Sequence, residues 1–442
     1  MQKLSARERL LVGLTLFSMF FGAGNLIFPP FLGAEAASAA IPAWMGFIAA
    51  AVGLPILGVA AVAHAGGLDK LAGRVGPRFA FLFTLAIYLS IGPGLAIPRT
   101  ASTSFEMVVR PFYSPEWSET MKVTASAAYS ALFFAAAWFV SLHPEKLTNW
   151  LGKRLMPTLL LLIGALFLGT LLTDSAASGA PSAAYAAAPF AKGFIEGYQT
   201  MDALAALNFG IVIAMNIRAF GVTDESAVSG ETIKAGLIAA VFFVAVYGAL
   251  AFIGVDAGAR FPEAENGAQL LSRAAGALGG RAGNILIGAI FFIACFNTCV
   301  GLISCCGRYF STTFPVLGYR AWTALFAFVS MVVSNAGLTL ILKLSVPLLC
   351  VLYPAAIVLI ALGILETVFP KLAECRAVYR LAVAFAGIVS VAEAVRGWGL
   401  EWEAVDALIA MLPLAAIGMA WMTPALAGGV LGGAFSLRRS AS

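Results

Sequence analysis

The chain has 442 residues, of which 61% are hydrophobic and 11% are charged, whereas soluble domains carry about 25% charged residues. The mean hydropathy is +0.93. These values exclude a soluble globular protein and indicate an integral membrane protein. The net charge of +5 does not indicate nucleic-acid binding, because membrane topology accounts for where the charges lie.

Apolar stretches long enough to cross a membrane recur along the whole chain. One helix needs about 20 apolar residues to cross a bilayer, and eleven such stretches follow the first, which we therefore interpret as a span and not as a cleaved signal peptide. We expect an all-α membrane protein with about 12 transmembrane helices and loops near 174–200 and 256–283. The predicted spans are 10–32, 41–64, 79–104, 123–141, 155–173, 201–219, 235–255, 284–306, 319–335, 338–365, 377–395 and 405–426.

The basic residues predict the orientation of these spans. If the N-terminus is cytoplasmic and the spans alternate, 18 of the 27 lysines and arginines lie in inside segments and 7 in outside segments. Inside segments of membrane proteins are enriched in these residues. We therefore expect a multi-pass membrane protein with both termini in the cytoplasm.

The six cysteines are interpreted as packing residues. Four of them, Cys295, Cys299, Cys305 and Cys306, lie in the eighth predicted span, where a disulfide framework is not expected. A metal site is the alternative, but the chain has only two histidines. We expect no metal or cofactor bound through these cysteines.

Four spans contain residues that weaken a helix. The first contains "FFGAGNLIFPP" at 20–30, and the third contains "LSIGPGLAIPRTAS" at 89–102. The sixth contains "NFG" at 208–210 within 200–221, and the tenth contains "SVPLLCVLYP" at 345–354. Non-helical backbone at membrane depth occurs only where it faces protein or a polar cavity.

A broken helix in a membrane offers groups that bind small charged solutes. Its freed N–H groups suit a carboxylate, and its freed carbonyls suit an ammonium group or Na⁺. The first and sixth spans lie five spans apart, which is typical of two inverted five-helix repeats. We expect a first repeat at 1–173, an extracytoplasmic loop at 174–199, a second repeat at 200–366 and two additional helices at 367–442. The alternative is that these glycines serve close helix packing.

The sequence resembles the bacterial branched-chain amino acid carriers, the leucine/isoleucine/valine:cation symporter family. The resemblance covers nearly the full length, through "FFGAGNLIFPPFLGAEA", "GPGLAIPRTASTSFE", "GYQTMDALAALNFGIVI", "CFNTCVGLISCCGRYF" and "SVPLLCVLYPAAIVLIAL". It implies a leucine-transporter-like 5+5 inverted repeat with broken helices 1 and 6. It also implies import of leucine, isoleucine and valine with a cation, usually Na⁺.

The resemblance also implies a substrate site between the two broken helices. The amides of Gly22, Ala23 and Gly24 would bind the substrate carboxylate, with Asn25 as a nearby polar ligand. By similarity to the Gly-Phe-Gly of related symporters, the sixth span would complete the pocket with Ala206, Asn208, Phe209 and Gly210.

One sodium site is implied by the same relation. Its ligands would be the carbonyls of Ser18 and Phe21, the carbonyl of Ala294, and the side chains of Asn297 and Thr298. Asn297 departs from the family's pattern, in which a hydroxyl residue is usual. A second sodium site is not expected, since the aligned position is Leu204, which has no side-chain oxygen.

Two charged residues near the breaks have open roles. Arg99 is either an outer gate paired with an acid such as Glu106 or a structural contact at a helix end. Asp202 is either a gate or proton-linked carboxylate, or an acid that stabilises a helix N-terminus. The resemblance implies Na⁺ as the coupling ion, and H⁺ is the alternative if Asp202 is a proton-linked carboxylate.

The sequence disfavours two other function classes. A membrane enzyme is not supported, since we find no HExxH, no Asp-rich pair for a Mg-diphosphate, and no GxSxG with usable partners. A primary pump is not supported, since the chain has no GxxxxGK[ST] phosphate loop, and no ATPase subunit is expected. A same-fold carrier for alanine or other solutes is the closest alternative to a branched-chain symporter. The expected partners are the lipid bilayer and the amino acid substrate.

Overall fold

The computed structural model describes residues 3–114, 116–143, 148–173, 179–397 and 402–441, and every regular element in these ranges is helical. The α-helices are α1 Ala6–Phe20, α2 Ala23–Ala36, α3 Ala40–Ile48, α4 Leu54–Ala65, α5 Leu68–Gly73, α6 Pro77–Leu89, α7 Ala96–Val108, α8 Glu119–Ser141, α9 Met156–Leu171, α10 Ala183–Ala187, α11 Pro189–Tyr198, α12 Asp202–Ala219, α13 Glu225–Arg260, α14 Gly267–Thr313, α15 Tyr319–Ser334, α16 Leu338–Val368, α17 Arg376–Gly397, α18 Glu403–Ala410 and α19 Met422–Ala441. Short π-helical segments cover Ala49–Gly53, Ser90–Gly94 and Thr148–Leu155.

The predicted all-α membrane architecture is confirmed, but the count of twelve spans is not reproduced. In the described residues, eight helical segments are long and apolar enough to cross a membrane, and a ninth joins them if α12 is taken as one bent span. The shortfall has a structural reason in several spans. The first is divided into α1 of 15 residues and α2 of 14 residues, and α15 has only 16.

Much of the sequence expected to form loops is helical. Residues 174–178 lie outside the described residues, but α10 and α11 occupy most of 183–198. In the second expected loop, α13 extends to Arg260 and α14 begins at Gly267. Non-helical backbone inside α14 is confined to Gly279 and Gly280. The Gly- and Ala-rich composition therefore reflects small residues in helices, which close packing in membrane proteins favours.

The tenth and twelfth spans differ from what the sequence predicts. The tenth is a continuous α16 with Pro347 and Pro354 inside it. The twelfth, expected at 405–426, is interrupted after Ala410. Leu414 and Gly418 there have φ of 68° and 72°, in the left-handed region that ends helices. The helix is interrupted here because Pro413 cannot donate the backbone hydrogen bond that a continuing helix needs.

The interior is organised around α14, which packs against α1, α2, α7, α8, α9, α13 and α15. On a neighbouring face, α2 and α13 approach closely at two glycines. A side chain on Gly33 would overlap the backbone of Ala251, and one on Gly254 would overlap the backbone of Pro30. Gly33 and Gly254 therefore serve close helix packing, in which van der Waals contact between backbones takes the place of side-chain burial.

Two buried glutamates join helices at a distance from this interior. Glu231 of α13 accepts a hydrogen bond of 2.6 Å from Arg9 Nε of α1 and one of 2.8 Å from Lys234. Glu366 of α16 forms an ion pair with Arg74, with an N–O distance of 3.1 Å. Each glutamate side chain is only 2% exposed, so each needs its partners to offset the loss of hydration.

Candidate functional site

The first predicted break is present at Phe21 and Gly22. Helix α1 ends at Phe20, and Gly22 has φ of −121° and ψ of −157°, which is extended backbone. The Gly22 N–H donates 3.0 Å to Asn25 Oδ1. This N–H would otherwise bond the Ser18 carbonyl, so the asparagine releases that carbonyl from the helix.

The start of α2 carries free hydrogen-bond donors. No described residue accepts a hydrogen bond from the N–H groups of Ala23, Gly24 or Asn25, as expected for the first turn of a helix. Ala23 and Asn25 are 3% and 2% exposed. The positive end of the helix dipole is therefore directed into the interior of the protein, where it suits an anion.

Helix α14 presents buried oxygens beside this break. Thr298 lies against Gly22, because a Cβ added to Gly22 would be 2.8 Å from Thr298 Oγ1. Asn297 and Ala294 are fully buried on the same helix, and Ser18 is fully buried on α1. The Ser18 and Thr298 hydroxyls and both polar atoms of the Asn297 side chain have no hydrogen-bond partner among the described residues. The predicted ion ligands thus include unsatisfied buried oxygens, which native proteins seldom leave without a reason.

A second sharp break lies at residues 199–201, before α12 and nine residues earlier than "NFG" at 208–210. Helix α11 ends at Tyr198 and α12 begins at Asp202, with Met201 between them at φ 67° and ψ 6°. This left-handed conformation is costly for a residue with a side chain. The break expected at 208–210 coincides with a 40° bend of α12 between Asp202–Phe209 and Ile213–Ala219.

The predicted pocket residues of α12 are distributed around that bend. Phe209 is fully buried and packs against Phe20 with ring centroids 4.8 Å apart. Asn208 donates 3.4 Å to the Leu204 carbonyl within its own helix, and its Oδ1 has no described partner. Ala206 is also fully buried, and Gly210 lies at the bend.

A hydrogen-bonded cluster connects the two breaks. Asn25 Nδ2 of α2 lies 2.5 Å from Asp202 Oδ2 of α12 and 2.5 Å from the Tyr247 hydroxyl of α13. The Tyr247 hydroxyl donates 3.3 Å to the same carboxylate oxygen. Asp202 also occupies the first turn of α12, so the helix N-terminus stabilises its negative charge.

Arg99 is buried beside the first break, and its expected acidic partner is wrong. Glu106 bonds to Arg110, four residues further on, and not to Arg99. Arg99 lies on α7 just after the π-helical Ser90–Gly94, where Gly92 is non-helical, within the stretch 89–102 that was expected to weaken the helix. The residue is 7% exposed, and its Nη2 would be 3.2 Å from a Cβ on Gly24.

These elements enclose a central cavity of about 30 Å³. One water needs about 10–15 Å³, so the cavity has room for about two waters. Both breaks contribute to its walls, together with the third and eighth predicted spans. Among the lining residues are Gly22, Ala23, Asn25, Arg99, Asp202 and Thr298.

Sequence reasoning missed some of the residues that line this cavity. Thr200 and Met201 belong to the break before α12, which was not expected, and Ala205 lines the cavity where Ala206 was expected. Tyr247 was also missed, since a tyrosine in an apolar span is unremarkable without its neighbours. The signal for the break before α12 was present in "YQTMD", where a polar run interrupts the apolar sequence.

Comparison with known proteins identifies the family. The family model described as branched-chain amino acid transport protein matches residues 5–438. The chain belongs to this family. The branched-chain amino acid permease BrnQ of Bacillus subtilis is 39% identical over 99% of both chains. The branched-chain amino acid transport system 2 carrier protein of Pseudomonas aeruginosa is 37% identical over 96% of this chain and 95% of its own.

The fold is that of a solved transporter. The structure is similar to Mhp1, a nucleobase-cation-symport-1 family transporter solved in a closed conformation with bromovinylhydantoin bound. The TM-score is 0.59 at 14% identity, over 96% of this chain and 91% of the other. Family and fold together make the protein a multi-pass membrane transporter and not an enzyme.

Proposed function

We propose that the transporter is a secondary active symporter that imports leucine, isoleucine and valine together with Na⁺. The observation that carries the proposal is the cavity between two helix breaks, with free amides on one wall and the unsatisfied Thr298 hydroxyl on another. Such breaks bind a carboxylate and a cation in transporters that work by alternating access. Membership of a branched-chain amino acid transport family supports the choice of substrate.

The sodium assignment is supported by the kind of oxygens present. Na⁺ prefers hard, neutral oxygen ligands when it must be released again, and the Ser18 and Thr298 hydroxyls are buried oxygens without a described partner. The Asn297 Oδ1 is a third. The Ser18 carbonyl, released by the Asn25 side chain, adds a fourth. In this proposal Phe21 and Ala294 contribute carbonyls.

The substrate carboxylate would lie against the start of α2. Gly24 allows this approach, because a side chain there would meet Arg99 and Phe28 at 3.2 Å each. Replacement by leucine fills the space and should abolish uptake while the protein still folds. The matched control is Gly164→Leu on α9, since a Cβ at Gly164 meets nothing within 4 Å.

A larger cavity suggests a route to the cytoplasm. Its volume is about 460 Å³, and its walls include Asp69, Arg218 and Arg308, in segments that the charge distribution predicts to be cytoplasmic. Leu207 and Ala214 of α12 also line it, whereas Phe209 lines the central cavity. A change at the 40° bend would therefore alter both cavities, as alternating access requires. We propose an inner-membrane location with cytoplasmic termini.

Uptake into proteoliposomes tests the function. Labelled leucine is offered with an inward Na⁺ gradient, an inward H⁺ gradient or neither, and isoleucine, valine and alanine compete. We expect concentrative uptake with Na⁺ alone, inhibited by isoleucine and valine more than by alanine. Thr298→Ala should reduce the Na⁺ dependence. Accumulation driven only by H⁺ would assign coupling to a carboxylate such as Asp202, and strong competition by alanine would indicate a different substrate range.

A further inference from the structure

Arg99 and Asp202 are opposite charges that line one buried cavity without pairing with each other. None of the ion pairs between described residues includes Arg99. The Asp202 carboxylate is instead held by Asn25 and Tyr247. An unpaired guanidinium that is 7% exposed is costly unless something binds it.

The groups around the Arg99 guanidinium favour the binding of an anion. Its Nη2 lies over Gly24, in the first turn of α2. That turn carries the positive end of the helix dipole and the free amides described above. Two positive groups therefore face the same space, and no described carboxylate lies within 4 Å of Arg99 to neutralise them. A carboxylate bound there would satisfy both, and arginine binds carboxylates through two parallel hydrogen bonds.

Asp202 offers the complementary end. Its carboxylate accepts hydrogen bonds from Asn25 and Tyr247 at Oδ2, which leaves capacity at its other oxygen. Asn25 follows Gly24 directly in α2, so the negative and positive groups are placed at adjacent residues of the same helical turn. An α-amino acid carries its two charges at a similarly short separation.

The rest of the cavity is apolar. Phe20, Ile91, Ala205, Phe209 and Leu302 line it, and they match an aliphatic side chain that buries apolar surface on binding. We infer that Arg99 binds the carboxylate of the substrate and Asp202 binds its ammonium group, so that the two residues select a zwitterionic aliphatic α-amino acid. This inference rests on the proposed function and adds two substrate-binding residues to it.

The experiment compares ligands that lack one charge. The purified full-length transporter binds labelled leucine, with leucinamide and 4-methylpentanoate as competitors. Leucinamide keeps the ammonium group but has no carboxylate, and 4-methylpentanoate keeps the carboxylate but has no ammonium group. Wild type should prefer leucine over each competitor by about 10- to 100-fold, the range for one charged hydrogen-bonded group.

The variants change one preference each. In Arg99→Gln, the ratio of leucine to leucinamide affinity should fall toward 1, while the ratio of leucine to 4-methylpentanoate stays high. Asp202→Asn should do the reverse. Arg110→Gln is the control, since Arg110 carries a 62% exposed side chain outside the cavity, and both ratios should stay as in wild type. Arg99→Lys keeps the charge and should retain part of the preference.

Each outcome decides between distinct conclusions. If Arg99 has only a structural role, Arg99→Gln should weaken the binding of leucine and of leucinamide equally. An unchanged ratio of leucine to leucinamide affinity in Arg99→Gln would therefore overturn the assignment of Arg99 to the substrate carboxylate. An unchanged leucine to 4-methylpentanoate ratio in Asp202→Asn would overturn its other half. If wild type binds no branched-chain amino acid, the proposed function fails as well. If Arg99 were purely structural, the Arg99→Gln variant without ligand would also melt at a lower temperature than wild type. We expect its melting temperature to be unchanged or higher, because an unpaired buried cation is removed.

Discussion

The contact between Gly22 and Thr298 gives a quantitative test of the ion site. A methyl group at residue 22 would lie 2.8 Å from Thr298 Oγ1 and 3.1–3.2 Å from its carbon atoms. Overpacking of this kind costs about 1–3 kcal/mol. The φ of −121° at Gly22 is open to alanine, so the backbone adds no strain. Gly22→Ala should therefore lower the free energy of unfolding by about that amount.

Thr298→Ala should relieve the contact without restoring function. Its hydroxyl has no hydrogen-bond partner among the described residues, so its removal should cost little stability. The double variant, Gly22→Ala with Thr298→Ala, should be more stable than the two single variants predict together. The difference in the free energy of unfolding should be about 1–2 kcal/mol, a coupling energy typical of residues in contact. Its Na⁺-dependent leucine uptake should remain low, because the hydroxyl proposed to bind the ion is absent.

The assay is a double-mutant cycle on the purified transporter, with unfolding followed in a denaturing detergent and uptake measured in parallel. Gly164→Ala is the control, since a Cβ there meets nothing within 4 Å, and it should be neutral or slightly stabilising. Additive effects, within about 0.5 kcal/mol, would refute the placement of Thr298 against the break. Normal uptake by the double variant would refute its role as an ion ligand.

Three further predictions concern other parts of the structure. Tyr247→Phe removes a hydroxyl that bonds to both ends of the cluster between the breaks, and it should lower the free energy of unfolding by about 1 kcal/mol and weaken leucine binding in a binding assay. Glu231→Gln loses its ion pair to Arg9 and should lower the free energy of unfolding by about 1–3 kcal/mol, less than for a fully buried pair because Arg9 is partly exposed. Uptake per folded molecule should not change, and a loss of uptake at unchanged stability would contradict this. N-ethylmaleimide followed by mass spectrometry should label the half-buried Cys375, which lies between two predicted spans, while the four cysteines buried in α14 react only after unfolding. Rapid labelling of those four in the folded protein would show that α14 is not buried as described.

The burial of those four cysteines supports their interpretation as packing residues. All six cysteines are free, and four are buried in α14. The described residues contain no group of three or more metal-binding side chains of the His, Cys, Asp and Glu type.

The first break shows how much a sequence can determine. Two glycines, an asparagine and two prolines inside an apolar stretch are unfavourable for a helix and have few other uses at membrane depth. The break expected at 22–25 lies at Phe21 and Gly22 in the structure, and the role of Asn25 as a substrate ligand stays a prediction. The family could also be predicted, because its motifs extend over nearly the whole chain.

Only the tertiary structure decided the break before α12 and the partners of the charged residues. "NFG" and "YQTMD" are both unfavourable helical sequences, and local sequence cannot show how sharply the chain turns at each. The structure has a sharp break at Met201 and a 40° bend after Phe209. Glu106 was a reasonable partner for Arg99, yet an arginine four residues away on the same surface binds it first.

The sequence by itself determined that this chain is a helical membrane transporter with a broken first helix, since hydropathy and helix propensity depend on local composition. The tertiary structure decided which polar groups meet in the interior. Asn25, Asp202 and Tyr247 come from three helices that are far apart in the chain. Arg99 approaches them from a fourth. Electrostatic interactions depend on distance in space, and no local pattern in a sequence records that distance.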